Sequence, residues 1–201
     1  MKKLSSTLVI AALALAIQSC GGKKDSTEKA DSLNNAKDTA VSTGLVGDTV
    51  TVAPAIVVTA DDAKFAVDAA NGGMAEVDLG ALAKNKATNA GVKDFAAMMV
   101  ADHSKANDEL KALAQKLNIT LPATINDEVI KIKEDLSKKS AAEFDKAYVS
   151  AMVTDHKKDV KMFEDAAKNN KSEDLKAFAA KTLPTLKHHL ETIQKIEDRI
   201  K

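Results

Sequence analysis

The chain has 201 residues, of which 29 are basic and 29 acidic, with one cysteine, one tyrosine and no tryptophan. Lys and Arg are interspersed with Asp and Glu and form no basic cluster. This argues against nucleic acid as a partner and against a charged face that binds anionic lipid. With a single cysteine, the sequence also excludes an intramolecular disulfide framework.

The first predicted element is a secretory signal over residues 1–19. Lys2 and Lys3 precede an apolar run that is short for a membrane-spanning helix. Cys20 follows a small residue at the end of this signal and resembles the acylated cysteine of a bacterial lipoprotein; an ordinary cleaved signal with an unrelated cysteine is the alternative. We expect Cys20 to carry the lipid anchor. Gly21 after it favours the outer membrane, facing the periplasm, over retention at the inner membrane.

The next segment, residues 20–59, is predicted to be a flexible tether. It consists mainly of Gly, Ser, Thr, Asp, Lys and Ala, with scattered Val and one proline. Such a composition buries too little apolar area to offset the entropy of ordering the chain. A coil of roughly 40 residues reaches about 30 to 40 Å, which would let a folded domain stand away from the bilayer.

Residues 60–201 are predicted to be helical throughout. Apolar residues recur at intervals of three and four, and Ala, Lys, Asp, Glu and Leu dominate. The predicted helices span about residues 60–87, 89–117, 124–137, 140–170 and 172–201, with capping residues at Thr59, Asn89, Thr124, Ser140 and Ser172. Four long amphipathic helices, with a short extra helix between the second and the third, predict an all-α four-helix bundle.

A seven-residue phrase occurs twice in this segment, at Met99–Lys105 on the second long helix and at Met152–Lys158 on the third. Five of the seven positions match, including an Asp-His step. Helical spacing places one polar side chain of each long helix on the stripe that should face the core. These inward side chains are Glu76, Asp102, Asp155 and His189, with His103 beside Asp102 and His156 beside Asp155.

Burying a carboxylate costs several kcal/mol unless it is paired or binds a cation, so the polar stripe needs an explanation. The acids and histidines could pair with one another as a structural layer, or lie at the edge of the stripe and reach solvent. They could also bind a transition metal such as Fe, Mn or Zn, as in di-iron bundles. Adjacent Asp and His diverge by about 100° on a helix, so only one of each pair points at a common centre. The Glu-x-x-His spacing of ferritin-type sites is missing.

These residues together resemble a known family. Gly73–Val77, the two Asp-His phrases, and Leu183-Pro184 followed by His189 are similar to the bacterial domain-of-unknown-function 4142 family, over about residues 61–199. The resemblance implies a secreted or lipid-anchored protein with a ferritin-like bundle and no settled activity. It implies that the positions to test, with no reaction assigned to any, are Glu76, Asp102, His103, Asp155, His156 and His189.

Two function classes therefore remain open. The first is a non-enzymatic, lipid-anchored envelope protein that binds a partner or acts in stress tolerance; the lipoprotein-type signal, the tether and the missing Glu-x-x-His favour it. The second is a metal-binding or redox ferritin-like protein, favoured by the inward acids and imidazoles. Hydrolase or transferase chemistry has little support, because the sequence contains neither a nucleophile elbow nor a phosphate-binding loop. An enzymatic function is thus less favoured, and the sequence identifies no protein partner.

Overall fold

The computed structural model describes residues 25–42 and 58–200, and this part of the chain is all-α, without a strand. Its helices are α1 (Ser26–Ser42), α2 (Ala60–Lys86), α3 (Ala90–Lys116), α4 (Asp127–Ser137), α5 (Ala141–Asn169) and α6 (Glu173–Ile200). The predicted all-α class is confirmed, and the four long helices begin and end within one residue of the predicted positions. The predicted signal and Cys20 lie outside the described residues. None of the described helices is long and apolar enough to cross a membrane.

The long helices form two antiparallel pairs, α2 with α3 and α5 with α6, which pack face to face. Two buried aspartates fix the pairs against each other. Asp62 closes the capping box at Thr59 and also accepts hydrogen bonds from the backbone N–H groups of Lys171 and Ser172, at 2.9 and 3.2 Å. At the opposite end of the bundle, Asp145 accepts from the backbone N–H groups of the α2–α3 turn. Each carboxylate thus serves the turn of the other pair and holds the helices in register.

The short helix α4 begins three residues later than expected. Asn126, rather than Thr124, is its N-cap, because the Asn126 side chain accepts a hydrogen bond from Val129 N at 3.0 Å. The Asn126 backbone N–H in turn donates to Asn71 Oδ1 of α2 at 2.9 Å. The tertiary contact with α2 therefore fixes where α4 starts.

Helix α1 lies in the segment that was expected to be flexible, so that expectation is wrong for residues 26–42. Its Asn34 side chain forms a reciprocal pair with the backbone of Thr120, accepting from Thr120 N at 2.7 Å and donating to Thr120 O at 2.9 Å. Lys37 donates to Asn118 O nearby, at 2.8 Å. The prediction of disorder rested on the small apolar area of this segment. Composition does not register contacts with the rest of the chain, and α1 packs on α2 and forms polar contacts with the loop after α3.

The interior of the bundle consists of two apolar clusters with a polar layer between them. One cluster is centred on the aromatic rings of Phe65, Phe163 and Phe178. The other contains Phe95, Phe144 and Tyr148. Along each of the four long helices the buried residues pass from one cluster to the other, and the polar side chains lie at the crossing point.

Candidate metal centre

The polar layer is built from five buried side chains, contributed by all four long helices. The sequence predicted two of them, Glu76 and His189, as inward side chains, and placed His103 and His156 beside aspartates that were expected to face inward. The exposed fractions of the five are 1% for Glu76 on α2, 5% for His103 on α3, 0% for His156 and 8% for Asp159 on α5, and 0% for His189 on α6. A set of acids and imidazoles this deeply buried requires internal partners or a cation.

Glu76 lies at the centre of the layer and contacts two histidines. Its Oε2 is 2.6 Å from Nδ1 of His103, and its Oε1 is 3.2 Å from Nε2 of His156. One carboxylate of α2 thus joins the two Asp-His phrases of α3 and α5.

The partners of two histidines fix which ring nitrogen carries the proton. His156 Nδ1 lies 3.0 Å from the carbonyl oxygen of Met152, which only accepts, so Nδ1 donates and Nε2 has the lone pair. His189 Nε2 lies 2.9 Å from Asp102 Oδ2, so Nε2 donates to this carboxylate and Nδ1 has the lone pair. A histidine that donates one N–H to a carbonyl or carboxylate and presents the other nitrogen is the usual form of a metal-ligating histidine.

Burial keeps these imidazoles neutral. It lowers the pKa of His156 to about 3 and that of His189 to about 4, and it also lowers the pKa of His103. A neutral imidazole is the form that binds a metal ion. At neutral pH all three rings are therefore in the ligand state.

For the carboxylates of the layer, burial shifts the pKa in the opposite direction. Burial, with the nearby Asp155 charge, raises the pKa of Glu76 well above its usual value. Burial and the Glu76 charge do the same for Asp159, and burial raises the pKa of Asp155. Within the described chain, no Lys or Arg lies within ion-pair distance of these three acids. The layer therefore favours uptake of protons or of a cation.

Four buried polar atoms of the layer have no hydrogen-bond partner among the described residues: Glu76 Oε1, His103 Nε2, His156 Nε2 and His189 Nδ1. Glu76 Oε1 and His156 Nε2 are near each other, but the His156 tautomer makes both atoms acceptors. Buried polar atoms without partners are uncommon in proteins, and here four of them belong to one layer. One ligand atom from each of the three histidines lies within 4.8 Å of the others, and the same holds for Glu76, Asp155 and Asp159. Imidazole and carboxylate donors fit Fe, Mn or Zn.

A small cavity of about 20 Å³ adjoins this layer, with Glu76, His103 and Asp159 in its lining. Gly73 and Asn107 also line it. A Cβ atom at residue 73 would overlap the Asn107 side-chain oxygen, so a larger residue here would require the Asn107 side chain to move. The volume is enough for one water-sized group.

The structure reverses the expected roles of the Asp-His pairs. His103 and His156 face inward, while the Asp102 side chain is 45% exposed and Asp155 is only partly buried. On α3 the inward stripe runs from Met99 to His103, a step of four residues, instead of the assumed step of three to Asp102. Both steps keep a residue on one face of a helix, so the sequence did not distinguish them. Glu76 and His189 face inward as predicted.

Two features of the site were missed. Asp159 is not among the predicted site residues, although its position about one turn after His156 was the available signal. The hydrogen bond between Asp102 and His189 joins residues 87 positions apart, and no local pattern indicates it.

The comparisons with known proteins agree with the resemblance seen in the sequence. Residues 48–196 match the family described as "Domain of unknown function (DUF4142)", and the chain belongs to this family. A crystal structure of a DUF305 fragment from Deinococcus radiodurans is similar, with a TM-score of 0.62 and 14% identity over 71% of this chain and 98% of that chain. At this identity, the likeness concerns the fold alone. Comparison with curated proteins gives no match.

Proposed function

We propose that this DUF4142 protein is a lipid-anchored protein of the bacterial cell envelope whose ferritin-like four-helix bundle binds a transition metal ion in its polar layer. His103, His156 and His189 would supply the imidazole ligands, and Glu76 the carboxylate. Asp102 and the Met152 carbonyl would orient the rings from outside. The proposal assigns no reaction, so it is a binding function.

The observation that carries this proposal is a set of four buried polar atoms without hydrogen-bond partners among the described residues, in a layer where three histidines each offer one ring nitrogen within 4.8 Å of the others and Glu76 Oε1 lies 3.2 Å from His156 Nε2. Proton sharing accounts for some of them, because a protonated Glu76 could donate one hydrogen bond. It cannot serve all four atoms, which come from four side chains. A divalent cation satisfies several lone pairs at once and offsets the charge of Glu76 and Asp159.

The experiment is a metal measurement on the chain from Gly21 onwards, purified without a polyhistidine tag. After exposure to Fe, Mn, Zn and Cu salts and removal of the excess, we expect the wild-type protein to retain about one equivalent of a single metal. The variant with both His103→Ala and His156→Ala should retain none. His188→Ala is the matched control, because His188 is exposed and adjacent to His189, and it should bind like the wild type. A folded wild-type protein that binds no metal contradicts the proposal.

A non-enzymatic binding or stress-related module without metal is the second candidate. The 2.6 Å contact between His103 and Glu76 and the 2.9 Å bond between His189 and Asp102 favour it, because they satisfy part of the layer without an ion. In that case the layer would serve to fix helix register, as buried polar groups do in some bundles.

The proposed membrane attachment is through lipid on Cys20. Helix α1 starts six residues after this cysteine, so the anchor would lie within about 20 Å of the start of α1 even with a fully extended connection. Because α1 docks on α2 and on the loop at Thr120, the greatest distance between the folded domain and the outer membrane would be shorter than with a free tether of roughly 40 residues. Cys20→Ala should move the protein from the membrane fraction to the soluble periplasmic fraction.

A further inference from the structure

The two pairs of helices meet along two seams, and α4 covers one of them. Helix α4 contacts both α2 and α5. Lys133 of α4 forms an ion pair with Asp78 of α2 at 2.7 Å, and Leu136 is buried in the apolar cluster around Phe144. The charge of Glu128, also on α4, is close enough to Asp155 of α5 to contribute to its raised pKa. Helix α4 therefore packs over the α2/α5 seam.

The α3/α6 seam differs, because it contains a pocket of about 140 Å³ that opens to solvent. Its inner wall includes His103 and His189, and its outer part includes Thr185 and Lys181, both exposed. Lys181 bridges the seam to Glu109 of α3 at 2.8 Å. The pocket shares His103, Ala106, Thr182 and Leu186 with the small cavity beside Glu76, so the two spaces adjoin.

Asp102 is the most exposed of the acids and histidines at the site. Its side chain is 45% exposed and lines the pocket, while its Oδ2 bonds to the completely buried His189. A hydrated divalent cation entering from solvent meets a carboxylate first, and carboxylate oxygens bind such ions while water still occupies other positions. Through its bond to His189, Asp102 connects the pocket to the polar layer.

We propose that the metal ion enters and leaves through this pocket, which we call the α3/α6 port, and that Asp102 is the first protein ligand it meets. This inference rests on the proposed metal binding and concerns the path of the ion. Blocking the port should slow uptake and release alike and leave the equilibrium affinity unchanged, because the bound state is the same.

Thr185→Trp tests the port, because residue 185 is exposed at the mouth of the pocket. The probe is Co²⁺, whose absorption reports binding to imidazole, mixed with the chain from Gly21 onwards in a stopped-flow instrument; release is followed after adding a chelator. We expect both rates to fall about tenfold or more, with a dissociation constant within about threefold of the wild type. Thr154→Trp is the matched control on the exposed face of α5 and should change neither rate.

A second variant introduces the bulky group only after the protein has folded. Thr185→Cys, in a chain that starts at Gly21, contains a single thiol, which is alkylated with a bulky maleimide after purification. The same preparation before and after alkylation should show the slowing. Unchanged rates after alkylation overturn the port while leaving metal binding intact. A wild-type protein that binds neither Co²⁺ nor any of Fe, Mn, Zn and Cu overturns the proposed function and the port with it.

Discussion

His103 and His156 occupy the same position in two copies of one phrase, yet they contact Glu76 through different ring nitrogens. His103 uses Nδ1, whereas His156 uses Nε2 and donates Nδ1 to the carbonyl of its own helix, at Met152. The two copies approach the single carboxylate of α2 from different helices, α3 and α5. Similar local sequence therefore yields the same side chain in the layer but not the same hydrogen bonds.

The aspartates of the two copies differ even more. Asp102 reaches across to His189 on α6 and remains half exposed in the α3/α6 port. Asp155 lies partly buried beside Asp159 and Glu76, within electrostatic reach of Glu128 on α4. The first acid supports a histidine, while the second adds charge to a crowded group of carboxylates. The comparison shows that the surroundings decide what each acid does.

The largest effect is expected from removing either repeated histidine. His103→Ala and His156→Ala should each weaken transition-metal binding by about 100-fold or more, because loss of outer-shell partners alone costs about 10- to 100-fold. Competition against a chromophoric chelator measures the affinity. If one variant bound metal normally, only one copy of the phrase would belong to the centre.

The pH dependence of stability distinguishes a neutral His156 beside Glu76 from a protonated His156 that is ion-paired with ionised Glu76. Burial holds the pKa of His156 at about 3 in the folded protein, whereas the unfolded chain takes up a proton near pH 6.5. Stability from this group is therefore lost as the pH falls from about 6.5 towards 3, by roughly 2 kcal/mol at pH 5.

We therefore expect His156→Phe to gain roughly 2 kcal/mol relative to the wild type when metal-free samples are compared at pH 7 and pH 5 by urea unfolding. The other titrating groups are common to both proteins. A constant difference between the two would mean that the folded protein contains a protonated His156 paired with ionised Glu76.

Substitutions of the two aspartates should act in different ways. Asp102→Ala removes the acceptor of His189 Nε2–H and should weaken metal binding about tenfold. Asp155→Asn removes a like charge beside Glu76 and Asp159, and should stabilise the metal-free protein by about 1 kcal/mol at pH 7. Chelator competition and urea unfolding measure the two quantities. Equal effects on affinity would contradict the different roles assigned to the two acids.

The smallest effect is expected at the two positions where the copies differ. Exchanging the residues by Ala101→Thr with Ser104→Lys should change the unfolding free energy by less than about 0.5 kcal/mol, because neither side chain is buried. Urea unfolding of the variant checks this. A larger loss would show that the differing positions help to distinguish the two copies.

Much of the fold could be predicted because its signals are local. Thr59 with Asp62 and Ser140 with Glu143 form capping boxes in the structure as the sequence indicated. The start of α4 and the helix α1 could not be predicted this way, because contacts with α2 and with Thr120 decide them. Capping residues within one helical turn can be identified in the sequence, whereas contacts between residues tens of positions apart cannot.

The sequence by itself determined that four long helices exist, where they begin and end, and that each of them contributes an acid or an imidazole near its middle. Only the tertiary structure decided that His103 and His156, rather than Asp102 and Asp155, face inward, and that Asp159 joins them. The physical reason is that steps of three and four residues lie on the same face of a helix, so the final rotation of about 100° is set by packing against neighbouring helices.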